Sequence, residues 1–173
     1  IRFELRESAD ALINALANEG FEIERNIAEM EDAFIATYGS GSPVIGFLGE
    51  YDALSNLSQI ADSVEKKPIE EGACGHGCGH HALGTGSMAA ALAVKQYMLD
   101  NNIKGTVKFF GCPAEESGSG KAFMARAGVF KGVDSMITWH PWTENEIWGT
   151  SSLANFQIYF NFKGKSSHAA ASP

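Results

Sequence analysis

The thirteen residues from Gly72 to Gly84, GACGHGCGHHALG, hold two of the chain's three cysteines and three of its five histidines. Thiolate and imidazole are ligands of Zn²⁺ and its first-row neighbours. The interleaved glycines permit the close approach and unusual backbone angles that such crowding requires. Carboxylates stand where they can join this group: Glu50 and Asp52 end the apolar run PVIGFLGEYD, and Glu115 and Glu116 follow GTVKFFGCP. His140 follows a third apolar run, DSMITWHP. A divalent ion lowers the pKa of its water to about 7 and polarises a carbonyl, while a neighbouring carboxylate takes the proton. Hydrolysis is thus the chemistry this residue set suits, with one of the adjacent glutamates ligating and the other facing the water.

These groups meet only if the fold brings them together. Leu5, Ala9, Leu12, Ile13 and Leu16 recur at helical spacing and Gly20 follows, which predicts a helix over roughly residues 3 to 19. FEIERNI and AFIATYG alternate as a pair of strands. The three apolar runs at Pro43, Gly105 and Asp134 show little alternation, as strands buried on both faces do. Helical segments lie between them at about 83–101 and 120–127, the latter stopped by Gly128. Strands separated by helices imply right-handed crossovers and an α/β class, a three-layer α/β/α arrangement around a mainly parallel, mixed sheet. In such a sheet the carboxyl ends of the strands share one edge, where ligands bind. Ser55 to Ala73 reads as a long polar loop. From Ser152, Phe156, Ile158, Phe160 and Phe162 alternate as in a strand with one solvated face, placing a domain boundary near residue 151.

Each motif also has a plainer reading. Cys74 and Cys78 suit a redox pair or half a zinc finger, although Cys112 alone does not complete a finger. Glu115 and Glu116 suit a helix start, Asp52 a cap, His140 a packed aromatic, and His168 a solvated loop residue. The formal charge of −8, with no basic run beyond Glu65–Lys67, argues against nucleic-acid and anionic-membrane partners. No apolar stretch approaches the roughly 20 residues of a membrane span. Three cysteines at no disulfide-framework spacing favour a reducing, cytoplasmic setting. The 173 residues and 45% hydrophobic content suit one ordinary core, and a chain that opens on Ile1 and stops at Pro173 is expected to be part of a longer one.

GFLGEYDAL, GHGCGHHALGTGS, GCPAEESGSGK, WHP and FKGKSSHAAASP resemble, in order and spacing, the motifs of the M20 metallopeptidase family, and within it the amidohydrolase branch. The resemblance implies two divalent ions, Zn²⁺ or Mn²⁺ with Co²⁺ as a further option, held by Cys78, His80, Glu116 and His140, with Cys78 a candidate bridge. It implies Glu115 as general base, Asp52 as the group orienting a ligand or the base, and His168 as a substrate or oxyanion contact. Residues 1–150 would form the N-terminal part of the catalytic domain, and residues 151–173 would begin a lid through which the full-length enzyme forms a homodimer. The implied substrates are small molecules: N-acyl or aminobenzoyl amino acids, with dipeptides the alternative. A non-catalytic metal-binding or redox fragment is the reading from another class. The chain departs from the branch at His81, where Asp or Asn is usual, and at Ser55, where Pro is usual. A last histidine ligand is expected beyond Pro173.

Overall fold

A computed structural model describes residues 1–156 and 158–172. Helix α1 spans Arg6–Asn18 and buries Ala9, Leu12, Ile13 and Leu16, the stripe its periodicity predicts. The two expected strands, β1 (Glu22–Arg25) and β2 (Phe34–Ser40), pair antiparallel. Strand β3 is Val44–Glu50, helix α2 is His80–Asp100, and β4 is Gly105–Cys112. A single turn α3 (Glu115–Gly118), helix α4 (Gly120–Arg126) and strand β5 (Ser135–Ile137) follow. Gly128, at φ +77°, closes the turn after α4 as the sequence predicts.

The sheet runs β1-β2-β4-β3-β5 and is mixed. β4, β3 and β5 are parallel, while β2 joins β4 antiparallel and carries β1 at the edge. Side-chain alternation divides the core in two. Phe34, Ala36, Phe47, Val107 and Phe109 face α1 and α2. Ile35, Phe110 and Cys112 face the other way, against Met30 and Met124 of α4. Helices thus cover both faces, as the α/β reading requires. The chain leaves β3 through α2 to β4 on one side, and leaves β4 through α3 and α4 to β5 on the other side of β3. Connections that diverge around β3 open a crevice at its carboxyl end, beside Glu50.

Three expectations need correction. Helix α2 begins at His80 rather than Leu83, so His80 sits in its first turn. β5 is exposed along its length instead of buried on both faces, because it is an edge strand. An apolar run reads alike in either position. The alternating segment from Ser152 forms no strand among the described residues, and Phe156 and Phe162 are 87% and 92% exposed. Alternation alone does not hold a strand without a neighbouring strand to pair with, and none of the described residues pairs with it. Residue 157 of that segment and Pro173 of the last motif lie outside the described residues. No described helix is long and apolar enough to cross a membrane.

Candidate metal centre

The centre is built where β3 and β4 end and α2 begins. Gly84 lets α2 lie directly on β3: a Cβ there would come within 2.6 Å of the Glu50 carbonyl oxygen. That approach brings the first turn of α2 beside Glu50 and Asp52. Gly79 precedes the helix at φ +78°, a left-handed conformation that lets the chain turn from Cys78 straight into His80. After β4, Ala114 takes φ +58°, sparsely populated for a residue with a side chain, and the sharp turn starts α3 at Glu115 and Glu116.

Asp52 ties these segments together. His80 Nδ1 lies 2.9 Å from Asp52 Oδ1, and both side chains are fully buried. The Glu116 backbone N–H donates to Asp52 Oδ2 at 2.9 Å. Burial opposes the charged form of both partners, but the shared hydrogen bond and mutual attraction outweigh it. Asp52 accordingly falls below its ordinary value and His80 rises above its own.

With Nδ1 donating to Asp52, His80 presents Nε2 as its free nitrogen, and three carboxylates stand near it. Glu50 Oε2 lies 3.1 Å away, and Glu115 Oε2 and Glu116 Oε1 each lie 3.8 Å away. The latter two are beyond hydrogen-bond distance and Glu50 makes no hydrogen bond to it, so His80 Nε2 is buried without a partner, as is Glu116 Oε1. His140 has the same polarity. Its Nδ1 lies 2.9 Å from the Pro141 carbonyl oxygen, and its Nε2 lies 3.2 Å from Cys78 Sγ. Trp139 sets it there, packing over Gly86 and donating its indole N–H to the Leu83 carbonyl.

Two ligand groups result, Cys78 with His80 and His140, and Glu50 with His80 and Glu115, the donor atoms in each lying within 4.8 Å of one another. A buried imidazole nitrogen ringed by carboxylates, beside an unpartnered carboxylate oxygen, calls for positive charge between them, which a proton on the ring or a bound cation supplies. The mixed N, S and O donors suit a first-row divalent ion. The residues therefore fit the metal that the sequence pattern implies. Burial and the neighbouring Glu116 carboxylate push the Cys78 thiol up to about 11, so the sulfur keeps its proton at neutral pH until a cation displaces it. Burial and the charge of Glu50 raise Glu115 above the ordinary carboxylate range, with Lys121 offsetting part of that.

Cys78, His80, Glu116, His140, Glu115 and Asp52 thus converge. His168 does not: it is exposed, and the backbone N–H groups of Ala170 and Ala171 point at its Nδ1. All three cysteines are free thiols, with Cys74 exposed and outside both groups. Glu50 and Lys121 complete the cluster, Lys121 Nζ donating to Glu50 Oε1. The sequence placed Glu50 at the strand end but carried no sign that Lys121 would reach it. A cavity of about 560 Å³ opens beside the cluster, walled by Glu50, Trp139, His140, Trp142 and Trp148.

Comparison with known proteins matches this geometry to a family. Residues 46–158 match peptidase family M20/M25/M40. The chain is 50% identical to one of the p-aminobenzoyl-glutamate hydrolase subunits of Escherichia coli, over 99% of this chain and 36% of that protein. It is 32% identical to the other p-aminobenzoyl-glutamate hydrolase subunit of the same organism, over 85% of this chain and 36% of the relative. The chain thus spans about a third of the length of these curated relatives. Among solved structures, a Bacillus subtilis dinuclear metal binding peptidase from the M20 family superimposes with a TM-score of 0.61 at 25% identity, over 79% of this chain and 37% of that one. The matched residues carry the end of β3 with Glu50 and Asp52, the start of α2, Glu115, Glu116 and His140, and the chain belongs to peptidase family M20.

Proposed function

We propose that this chain is the N-terminal part of the catalytic domain of a metal-dependent amidohydrolase. It would hydrolyse the amide bond of p-aminobenzoyl-glutamate or a related N-acyl amino acid. The observation that carries this reading is the pair of buried, unpartnered atoms His80 Nε2 and Glu116 Oε1, 3.8 Å apart. His80, Glu116, Cys78 and His140 would hold the divalent ions, two on the precedent of the dinuclear relative. Zn²⁺, Mn²⁺ and Co²⁺ all accept these donors. When bound, such ions supply Lewis-acid chemistry, acidifying water and polarising the scissile carbonyl.

The chain's own residues do the rest. Asp52 holds the His80 ring in one tautomer, with Nε2 free. Glu115, with 44% of its side chain exposed, is open to solvent and substrate. It takes the proton from the attacking water and passes it to the leaving amine nitrogen. Its raised pKa suits both halves of that transfer. His168 would contact substrate only once residues 151–173 close over the centre as part of a lid.

The relative at 50% identity is named as a single subunit of its hydrolase, and the chain also resembles that hydrolase's second, differently named subunit. A different polypeptide of the same family is therefore the partner this reading favours. The homodimer expected from sequence has no support among the described residues. The test uses the longer protein that contains this chain: Glu115→Gln should abolish p-aminobenzoyl-glutamate hydrolysis while metal content persists. A variant that keeps its rate removes Glu115 from the mechanism.

A further inference from the structure

Glu50 is not among the ligands that the sequence motifs imply, yet it is the carboxylate nearest the free nitrogen of His80. Its Oε2 stands 3.1 Å from His80 Nε2, against 3.8 Å for Glu116 Oε1. Two donors on one tetrahedral ion, each bonded at about 2.1 Å, sit about 3.4 Å apart. Glu50 matches that separation at least as well as Glu116 does. It is also the more buried of the two, its side chain 9% exposed against 17%. Its other oxygen is occupied, because Lys121 donates to Oε1. That ion pair fixes the carboxylate and leaves Oε2 turned towards a nitrogen with which it makes no hydrogen bond.

Both ligand groups include His80, and with Nδ1 held by Asp52 its Nε2 is the nitrogen left to serve them. One imidazole nitrogen serves one ion, so a pair of ions cannot divide His80 between them. The four motif-implied donors then leave each ion short of the four ligands a tetrahedral site takes. Besides the histidine expected beyond Pro173 and a water, a carboxylate on the His80 side would add to these donors, and Glu50 is already there. We propose that Glu50 is a further metal ligand of this centre, presenting Oε2 to the ion held by His80 Nε2, with Lys121 as the positioning residue that fixes it. The proposal rests on the metal-centre reading above.

The test titrates the metal-free form of the longer protein that contains this chain with Co²⁺, following thiolate-to-cobalt charge transfer at Cys78 and the visible bands of the ion, and compares Glu50→Gln with the wild type. The variant should bind at least about tenfold more weakly with altered visible bands. Unchanged affinity and bands, accompanied only by a lower melting temperature, would mean that Glu50 merely pairs with Lys121, and would overturn the proposal. A wild type that takes up no Co²⁺ overturns the metal-centre reading along with it, so the two failures are distinct. Should Glu50→Gln not fold, anomalous diffraction from the Zn²⁺-loaded wild-type chain decides. An ion within about 2.2 Å of Glu50 Oε2 supports the assignment, and an ion on His80 beyond bonding reach of that oxygen contradicts it.

Discussion

Asp52 Oδ1 meets His80 Nδ1 at 2.9 Å while Asp52 Oδ2 accepts the Glu116 backbone N–H at the same distance. One carboxylate thereby sets the orientation of one metal-ligand candidate and the backbone of another. Asp52→Asn should weaken both, since whichever way the amide turns, its NH₂ faces a donor. Zn²⁺ affinity measured by calorimetry should fall about 10- to 100-fold, as when other groups that orient metal ligands are removed. Unaltered affinity would show that the ring is held by other contacts.

The same pair makes stability of the metal-free protein depend on pH. Asp52, whose folded pKa is lowered, contributes stability that is present above its ordinary 3.8 and lost as pH falls through the folded value. His80, whose folded pKa is raised, contributes stability that is present below its ordinary 6.5 and lost as pH rises through the folded value. Both contributions are complete between 3.8 and 6.5. Urea midpoints of the wild type minus those of Asp52→Asn should therefore peak in that window and shrink on either side. A difference that stays flat from acid to alkaline pH would show that the pair is not charged.

Cysteine reactivity should separate the three thiols. Cys74 is exposed, Cys78 is half-buried with its pKa pushed up to about 11, and Cys112 is buried with its pKa pushed up to about 12. At pH 7 a thiol of pKa 11 is thiolate in about one part in ten thousand, and thiolate is the reactive form. Iodoacetamide followed by peptide mass spectrometry should find Cys74 modified first and Cys78 slowly, its rate climbing as pH approaches 11. Rapid labelling of Cys78 at neutral pH would contradict its protonated state.

Gly84 should be intolerant of any side chain. Gly84→Ala sets a methyl 2.6 Å from the Glu50 carbonyl oxygen, closer than a Cβ can approach, and α2 must lift from β3. We expect a loss of about 1–3 kcal/mol in unfolding free energy, together with weaker metal uptake as His80 moves away from Glu50. A variant as stable as the wild type would mean that the helix shifts without strain.

Much of this arrangement was legible in the sequence, for reasons the structure makes specific. The apolar runs ending at Glu50 and Cys112 became adjacent parallel strands, so Asp52, Glu115 and Glu116 had to emerge on one edge. The stripe of α1 and the stop at Gly128 were legible because local periodicity and backbone freedom decide them. Contacts between distant segments were not: Lys121 is 71 residues from Glu50. Strand β5 resembled a central strand because an apolar run does not record what covers it. The alternation after Ser152 carried a strand's pattern without a strand to pair with.

His80 Nε2 and Glu116 Oε1, both buried without a partner, would hold the divalent ion of the proposed centre. Equilibrium dialysis of the metal-free longer protein that contains this chain against Zn²⁺, with bound metal counted by mass spectrometry, tests this when paired with His80→Ala and Glu116→Gln. The wild type should retain Zn²⁺ and each substitution should lose most of it. A wild type that retains none, or variants that retain as much, would contradict it.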